Sequence, residues 1–170
     1  MTLPETDRLR LRTISEDDAD FILELLNEPA FIRNIGDRGV RAPDDARGYI
    51  RDRVMRSYER FGFGMYLVER KADGLPLGIC GLVKRDTLED VDIGFAFLER
   101  HWAQGYASES AAAVMAYAKE QLGIGRIVGI VDPSNGGSMR VLEKLGLKAA
   151  RLLRLSADDI ELKLFTPDGL

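Results

Sequence analysis

The chain has 170 residues, 45% of them apolar and 31% charged, which is the composition of a globular protein; a chain this long buries roughly 70% of its unfolded surface and needs no staple. Lys and Arg number 24 against 28 Asp and Glu, and the resulting net charge of −4 argues against a dedicated nucleic-acid binder. A single Cys excludes an internal disulfide and fits a reducing compartment, while a single His and the absence of CxxC or HxxxH spacing exclude the usual zinc sites, so no metal is expected.

In chain order, Met1 to Asp7 carry no apolar run, so no signal peptide is expected. Leu9 and Leu11 alternate with Arg8, Arg10 and Arg12, the pattern of a half-buried strand. Ser15 with Asp18 three residues on reads as a capping box, and the helix it opens carries Phe21, Ile22, Leu25 and Leu26 before Pro29 stops it near Glu28. Phe31 to Ala42 lacks periodicity and is expected to be a loop. From Pro43, Ala46, Ile50, Val54, Tyr58 and Phe61 recur at helical spacing. Arg47, Arg51, Arg53, Arg56 and Arg60 cover its other faces, as a solvated surface or as an anion-binding one.

Met65 to Glu69, Leu77 to Lys84 and Val91 to Leu98 read as three strands whose connections are too short for crossovers, hence antiparallel. Ala107 to Leu122 is a helix, Arg126 to Asp132 a buried strand, Asn135 to Leu145 a helix, and Lys148 to Leu155 with Glu161 to Phe165 a last strand pair. No repeat, linker or low-complexity segment interrupts the chain, so one α/β domain over residues 1–170 is expected. No stretch approaches the ~18 uncharged apolar residues of a membrane span, and the expected location is cytoplasmic.

The chemistry concentrates between Val91 and Ser110. A strand passes through a polar turn into a helix at Gln104-Gly105-Tyr106-Ala107-Ser108. A helix start leaves about four N–H groups unpaired and carries partial positive charge. Gly105 removes the side chain that would screen those amides, and Ser108 adds a hydroxyl, which together suit a phosphate or pyrophosphate. GxxxxGK[ST] and GxGxxG are both absent, so neither a Walker loop nor a dinucleotide fingerprint supplies the site.

Trp102-Ala103-Gln104-Gly105-Tyr106-Ala107 resembles the [QR]xxGx[GA] acyl-CoA motif of the GNAT N-acetyltransferases, with Trp102 in place of Gln or Arg. Its WxxGYAxE form is similar to that of the RimJ/RimL-like ribosomal-protein acetyltransferase branch. Thr6 to Arg12, Asp92-Ile93-Gly94-Phe95, and Asn135 to Ser138 followed by Leu142 to Leu147 resemble further motifs of that branch, in the same order. The resemblance implies the GNAT fold: a mixed, mostly antiparallel sheet splayed between its fourth and fifth strands, with helices on both faces. It also implies acetyl-CoA as cosubstrate, a primary amine (a protein N-terminus or a small amine) as acceptor, and no metal. Homodimers are common in such proteins. A non-catalytic acyl-CoA sensor of the same fold is the alternative.

Carried onto this chain, the resemblance places Phe95, Ala96 and Phe97 against the pantetheine and Gln104, Gly105, Tyr106, Ala107 and Ser108 against the pyrophosphate. Trp102 packs against the loop and helix or flanks the coenzyme. Asp92 is the candidate base, sharing a strand face with the small Gly94 and Ala96; the other reading is a solvated strand-edge carboxylate. Ser138 is the candidate proton donor near the sulfur, with Asn135 beside it; both can instead cap the helix. Leu142 stands where many of the family carry a Tyr acid. His101 is expected at the surface and Cys80 in the core. The net charge of −4 mildly favours a cationic acceptor.

Overall fold

The computed structural model describes residues 2–170. Seven strands form one mixed sheet: β1 (Leu9–Thr13), β2 (Met65–Arg70), β3 (Pro76–Val83), β4 (Val91–Phe97), β5 (Ile127–Val131), β6 (Lys148–Leu153) and β7 (Leu162–Thr166). Their order is β1-β2-β3-β4-β5-β7-β6. Every neighbouring pair is antiparallel except β4 and β5. The last two strands form a hairpin, and β7 rather than β6 lies beside β5.

Helices cover both faces. On one lie α1 (Ala19–Leu26) and a long helix that runs from α3 (Pro43–Tyr49) through a π-helical segment (Ile50–Met55) into α4 (Arg56–Phe61). Ile22, Leu25, Leu26, Ala46, Ile50 and Val54 pack there against Leu67 and Ile79. On the other face α5 (Tyr106–Gln121) sets Ala111, Val114 and Ala118 against Tyr66, Val68, Cys80 and Leu82. The small residues at 111 and 118 let α5 sit close to the strands, and each fully buried Leu or Ile contributes roughly 1.5–3 kcal/mol. α6 (Gly136–Lys144) follows β5.

The first strand alternates as expected, with Leu9 and Leu11 buried and Arg8 and Arg10 exposed. Asp18 accepts the Ser15 N–H at 2.9 Å and holds Arg12 through both guanidinium nitrogens, at 2.7 and 2.9 Å. One segment differs from expectation. Pro29–Asn34 is a helix, α2, inside and just before what the sequence suggested was loop. Pro29 ends α1 but also starts the next helix, because its missing N–H costs nothing at a first helical position.

Gly81 marks the tightest approach in the sheet. A Cβ there would stand 2.1 Å from the Gly64 carbonyl oxygen and 2.7 Å from Met65 Cα, both main chain. Gly81→Ala is therefore expected to cost about 3 kcal/mol or more, lowering the melting temperature by roughly 6–12 °C in a thermal unfolding scan.

Candidate active site

β4 and β5 are joined only at their starts, through Val91 opposite Ile127 and Asp92 opposite Val128. β4 then continues to Phe97 and β5 to Val131 without pairing, so the sheet opens into a V whose apex is Asp92. On its other side β4 stays in register with β3, and Leu98 N–H donates to Leu77 O at 3.1 Å. Main-chain groups alternate sides along a strand, so those of Ile93, Phe95 and Phe97 face the opening while those of Ala96 face β3. Ala96 lines the cleft wall instead. The Phe97 carbonyl accepts the Trp102 indole N–H at 2.8 Å.

Trp102 thus closes the outer end of the V, and the chain turns sharply behind it. Ala103 is the one non-glycine residue with positive φ among the described residues (61°), and Gly105 follows at 82°. Two left-handed residues in three, with on the order of 1 kcal/mol of strain at Ala103, form the turn that leads into α5. Below the turn, Glu109 takes Arg8 at 2.8 Å and accepts the Thr6 hydroxyl in a short hydrogen bond. The Arg8 guanidinium also lies 4.6 Å from the Tyr106 ring centre. Burial works against the Glu109 charge, but Thr6 and Arg8 hold its carboxyl below the usual range. The opening motif around Thr6 and Arg8 and the WxxGYAxE glutamate are therefore two halves of one contact, which neutralises a carboxylate beside the helix start. Glu109→Ala is expected to remove about 1–2 kcal/mol, modest because Arg8 is half exposed, and to lower the melting temperature by roughly 2–8 °C.

Two clefts meet along the free edge of β4. The narrower, about 380 Å³, is lined by Phe95, Ala96, Phe97, Trp102, the Gly105 to Ser108 turn, and Asn135 and Ser138 from the start of α6. Gln104 is exposed in the same turn and does not line it. The wider, about 770 Å³, holds Asp92 and is walled by α2, the π segment, α4 and the β6–β7 loop. Phe95, Ala96, Asn135 and Ser138 border both. The Asn135 side-chain oxygen accepts the Ser138 N–H at 3.2 Å and so caps α6. The Ser138 hydroxyl has no hydrogen-bond partner among the described residues. Leu142 is buried against Gly129, where an added Cβ would stand 2.7 Å from it, so this position serves the core.

Asp92 is only 2% exposed, so the solvated-edge reading fails. Burial pushes its carboxyl from the ordinary 3.8 up to about 6, with Arg85 and then Lys84 opposing. Its Oδ1 faces Arg85 Nε at 3.4 Å, and neither atom makes a hydrogen bond. The carboxylate therefore keeps a buried acceptor unspent, as a base awaiting a proton through water would.

Other residues were read differently, or not at all, from sequence. His101 is 8% exposed rather than at the surface, and burial, then Arg100 and Arg70, lower its pKa. Cys80, by contrast, lies fully buried in the core as expected, and burial raises its thiol to about 12, which leaves it inert. Arg140 and Lys144 line the narrower cleft from α6, where their i,i+4 spacing was the available signal. α2 supplies Phe31, Asn34 and Ile35 to both clefts.

A mixed sheet opened after Asp92, with an amide-rich turn at one end and a buried carboxylate at the other, defines an acyltransferase architecture. Residues 8–148 match the model of the acetyltransferase (GNAT) domain, and the chain belongs to the GNAT acetyltransferase family. It is 31% identical over 152 residues to the uncharacterised protein YkkB of Bacillus subtilis, covering 88% of this chain and 87% of that one. It is 29% identical over 152 residues to the uncharacterised N-acetyltransferase YoaA of the same organism, covering 88% and 85%. Its fold is similar to that of an acetyltransferase from Agrobacterium tumefaciens (TM-score 0.80, 23% identity, 98% and 95% covered). It is equally similar to that of RimL, a ribosomal L7/L12 α-N-protein acetyltransferase solved with coenzyme A (TM-score 0.82, 18% identity, 98% and 97% covered).

The family uses acetyl-CoA, and the narrower cleft fits it on three counts. It has an unpaired strand edge for amides, a left-handed turn that leaves helix-start N–H groups uncovered, and the cations Arg140 and Lys144 on its far wall. Among the described residues no group of three or more His, Cys, Asp or Glu is placed to hold a metal. No helix among them is long and apolar enough to cross a membrane.

Proposed function

We propose that this acetyltransferase moves the acetyl group of acetyl-CoA to a primary amine by direct attack, with residues 1–170 acting as one domain. The observation that carries the reading is the junction of the two clefts at Phe95, Ala96, Asn135 and Ser138, with Asp92 within the acceptor side. The amides from Gly105 to Ser108 hold the pyrophosphate, and the main chain at Phe95 and Phe97 faces the pantetheine amides and the thioester carbonyl. An N–H there stabilises the oxyanion as the nitrogen adds.

An alkyl ammonium loses its proton only near pH ~10, so a base raises the reactive fraction at neutrality. Asp92 is ionised above about 6 and takes that proton through water. The departing thiol has a pKa of about 8.5; Ser138, whose hydroxyl is free, donates a hydrogen bond to the sulfur. Asn135 acts through Ser138, by fixing the first turn of α6.

The test is thiol release from acetyl-CoA with a panel of small amines and peptides with free N-termini, together with mass spectrometry of the acceptor. Release that tracks an acceptor gain of 42 Da, about the mass of one acetyl group less a proton, is expected. Binding of CoA with no release on any amine would remove the reading.

A further inference from the structure

We infer that the acceptor amine carries an anionic group, a carboxylate or a phosphate, that docks on the arginines of the wider cleft. The inference rests on the acetyl-transfer reading above and names the class of amine that enters. The arginines of the long helix divide by face. Arg47 pairs with Asp44, and Arg51 lies 3.4 Å from both Glu16 and Asp52. Arg53 and Arg56 line the wider cleft, and among the described residues neither has a carboxylate within ion-pair distance or a hydrogen bond. Arg33 and Arg38, from α2 and the loop after it, border the same cleft and are equally free. Arg60 reaches only Asp86, at 3.9 Å.

The carboxylates of the cleft do not balance them. Asp92 faces Arg85 and Asp52 faces Arg51, while Asp132 accepts only the neutral N–H and hydroxyl of Ser134 and keeps its charge. Asp158 and Asp159, on the β6–β7 loop, are likewise without a cationic partner. Four unpaired guanidinium groups therefore face three unpaired carboxylates, and over the whole lining seven Lys and Arg stand against five Asp, inside a chain whose net charge is −4. The sign inside the cleft is opposite to that of the whole chain, and the local sign is what a bound acceptor meets.

Arg53 is also pre-positioned, with its guanidinium 6.0 Å from the Tyr49 ring centre. The π-helical turn over Ile50–Met55 carries Arg53 and leads directly to Arg56. Such turns are uncommon and re-aim side chains relative to an ordinary helix. A planar guanidinium suits carboxylate and phosphate equally, so both chemistries belong to one class here.

Matched amines test this in the thiol-release assay. O-phosphoethanolamine is set against ethanolamine, a Ser-Asp-Glu-Glu peptide against Ser-Lys-Lys-Lys, and spermidine serves as the polycation. The anionic member of each pair is expected to show a kcat/KM about tenfold higher or more at low salt, with the gap narrowing as salt is added. The phosphoethanolamine pair reports a small-molecule acceptor and the peptide pair an acidic N-terminus. In the R53Q/R56Q double variant the KM for the anionic acceptor should rise about tenfold per arginine, while the KM for acetyl-CoA and the rate with ethanolamine stay unchanged. Preference for the lysine peptide or spermidine, or an anionic preference intact in the double variant, would overturn the inference and leave acetyl transfer standing. Absence of thiol release with every amine would overturn acetyl transfer, and the anionic preference with it.

Discussion

Asp92→Asn is expected to lower kcat by about 10²–10⁴ at saturating substrates, with the affinity for acetyl-CoA unchanged. The carboxylate sits at the apex of the strand opening, on the acceptor side, and the coenzyme cleft does not include it. The wild-type kcat should rise with pH through about 6 and then level, because the base works only when ionised. That limb should vanish in the variant. A turnover number unchanged in D92N would take Asp92 out of the chemistry.

The same substitution should stabilise the protein. The native carboxyl titrates near 6, above its ordinary 3.8, so between those values the folded state binds more protons than the unfolded one. Stability associated with this group is whole below about pH 4 and falls as pH rises through 6. By pH 7.5 the penalty for burying the charge is complete, about 3 kcal/mol, and Asn does not incur it. Arg85 is a third exposed and can turn to solvent when its partner becomes neutral. The melting temperature of D92N should therefore exceed that of wild type at pH 7.5 and match it near pH 4. A base kept at a cost in stability is what a functional carboxylate looks like, whereas a structural one would lose stability when neutralised.

The sequence carried the local half of this picture. The alternation of Leu9 and Leu11, the apolar stripes of α1 and α5, and the turn signals between β2, β3 and β4 placed those elements to within a residue or two. The amide-rich turn was legible because Gly105 precedes a strong helical pattern. What escaped depended on distant partners. Nothing local to β6 and β7 says that β7 takes the place beside β5. His101 lies in the wall of the narrower cleft beside Ala30 and Phe31 of α2, and α2 itself was hidden because Pro29 reads both as a stop and as a start. Asp92 could be read as solvated because no neighbour in sequence covers it; Arg85 does so from the β3–β4 connection. The division of the helix arginines into paired and free is likewise invisible until Glu16 and the cleft are in place.

Gly105→Ala isolates the second large effect, on coenzyme affinity. Gly105 has φ of 82°, where a Cβ costs about 1–2 kcal/mol, yet the nearest atom an added methyl would meet is the flexible Arg8 Nη2 at 3.3 Å. The protein should fold, with a melting temperature lower by roughly 2–8 °C. The methyl nevertheless strains the left-handed backbone that presents the amides at the start of α5. If those amides hold a diphosphate, the dissociation constant for CoA should rise about 100-fold, the value of two charge-assisted hydrogen bonds weakened together. Trp102, the sole tryptophan, borders the cleft and gives a fluorescence signal for the titration. Ala103→Gly is the control: it relieves the neighbouring left-handed residue, so it should hold or raise stability and leave CoA affinity within about twofold. A G105A protein that is destabilised as expected but binds CoA as tightly as wild type would show that the turn serves only to start the helix, and the diphosphate would have to be held by Arg140 and Lys144 across the cleft.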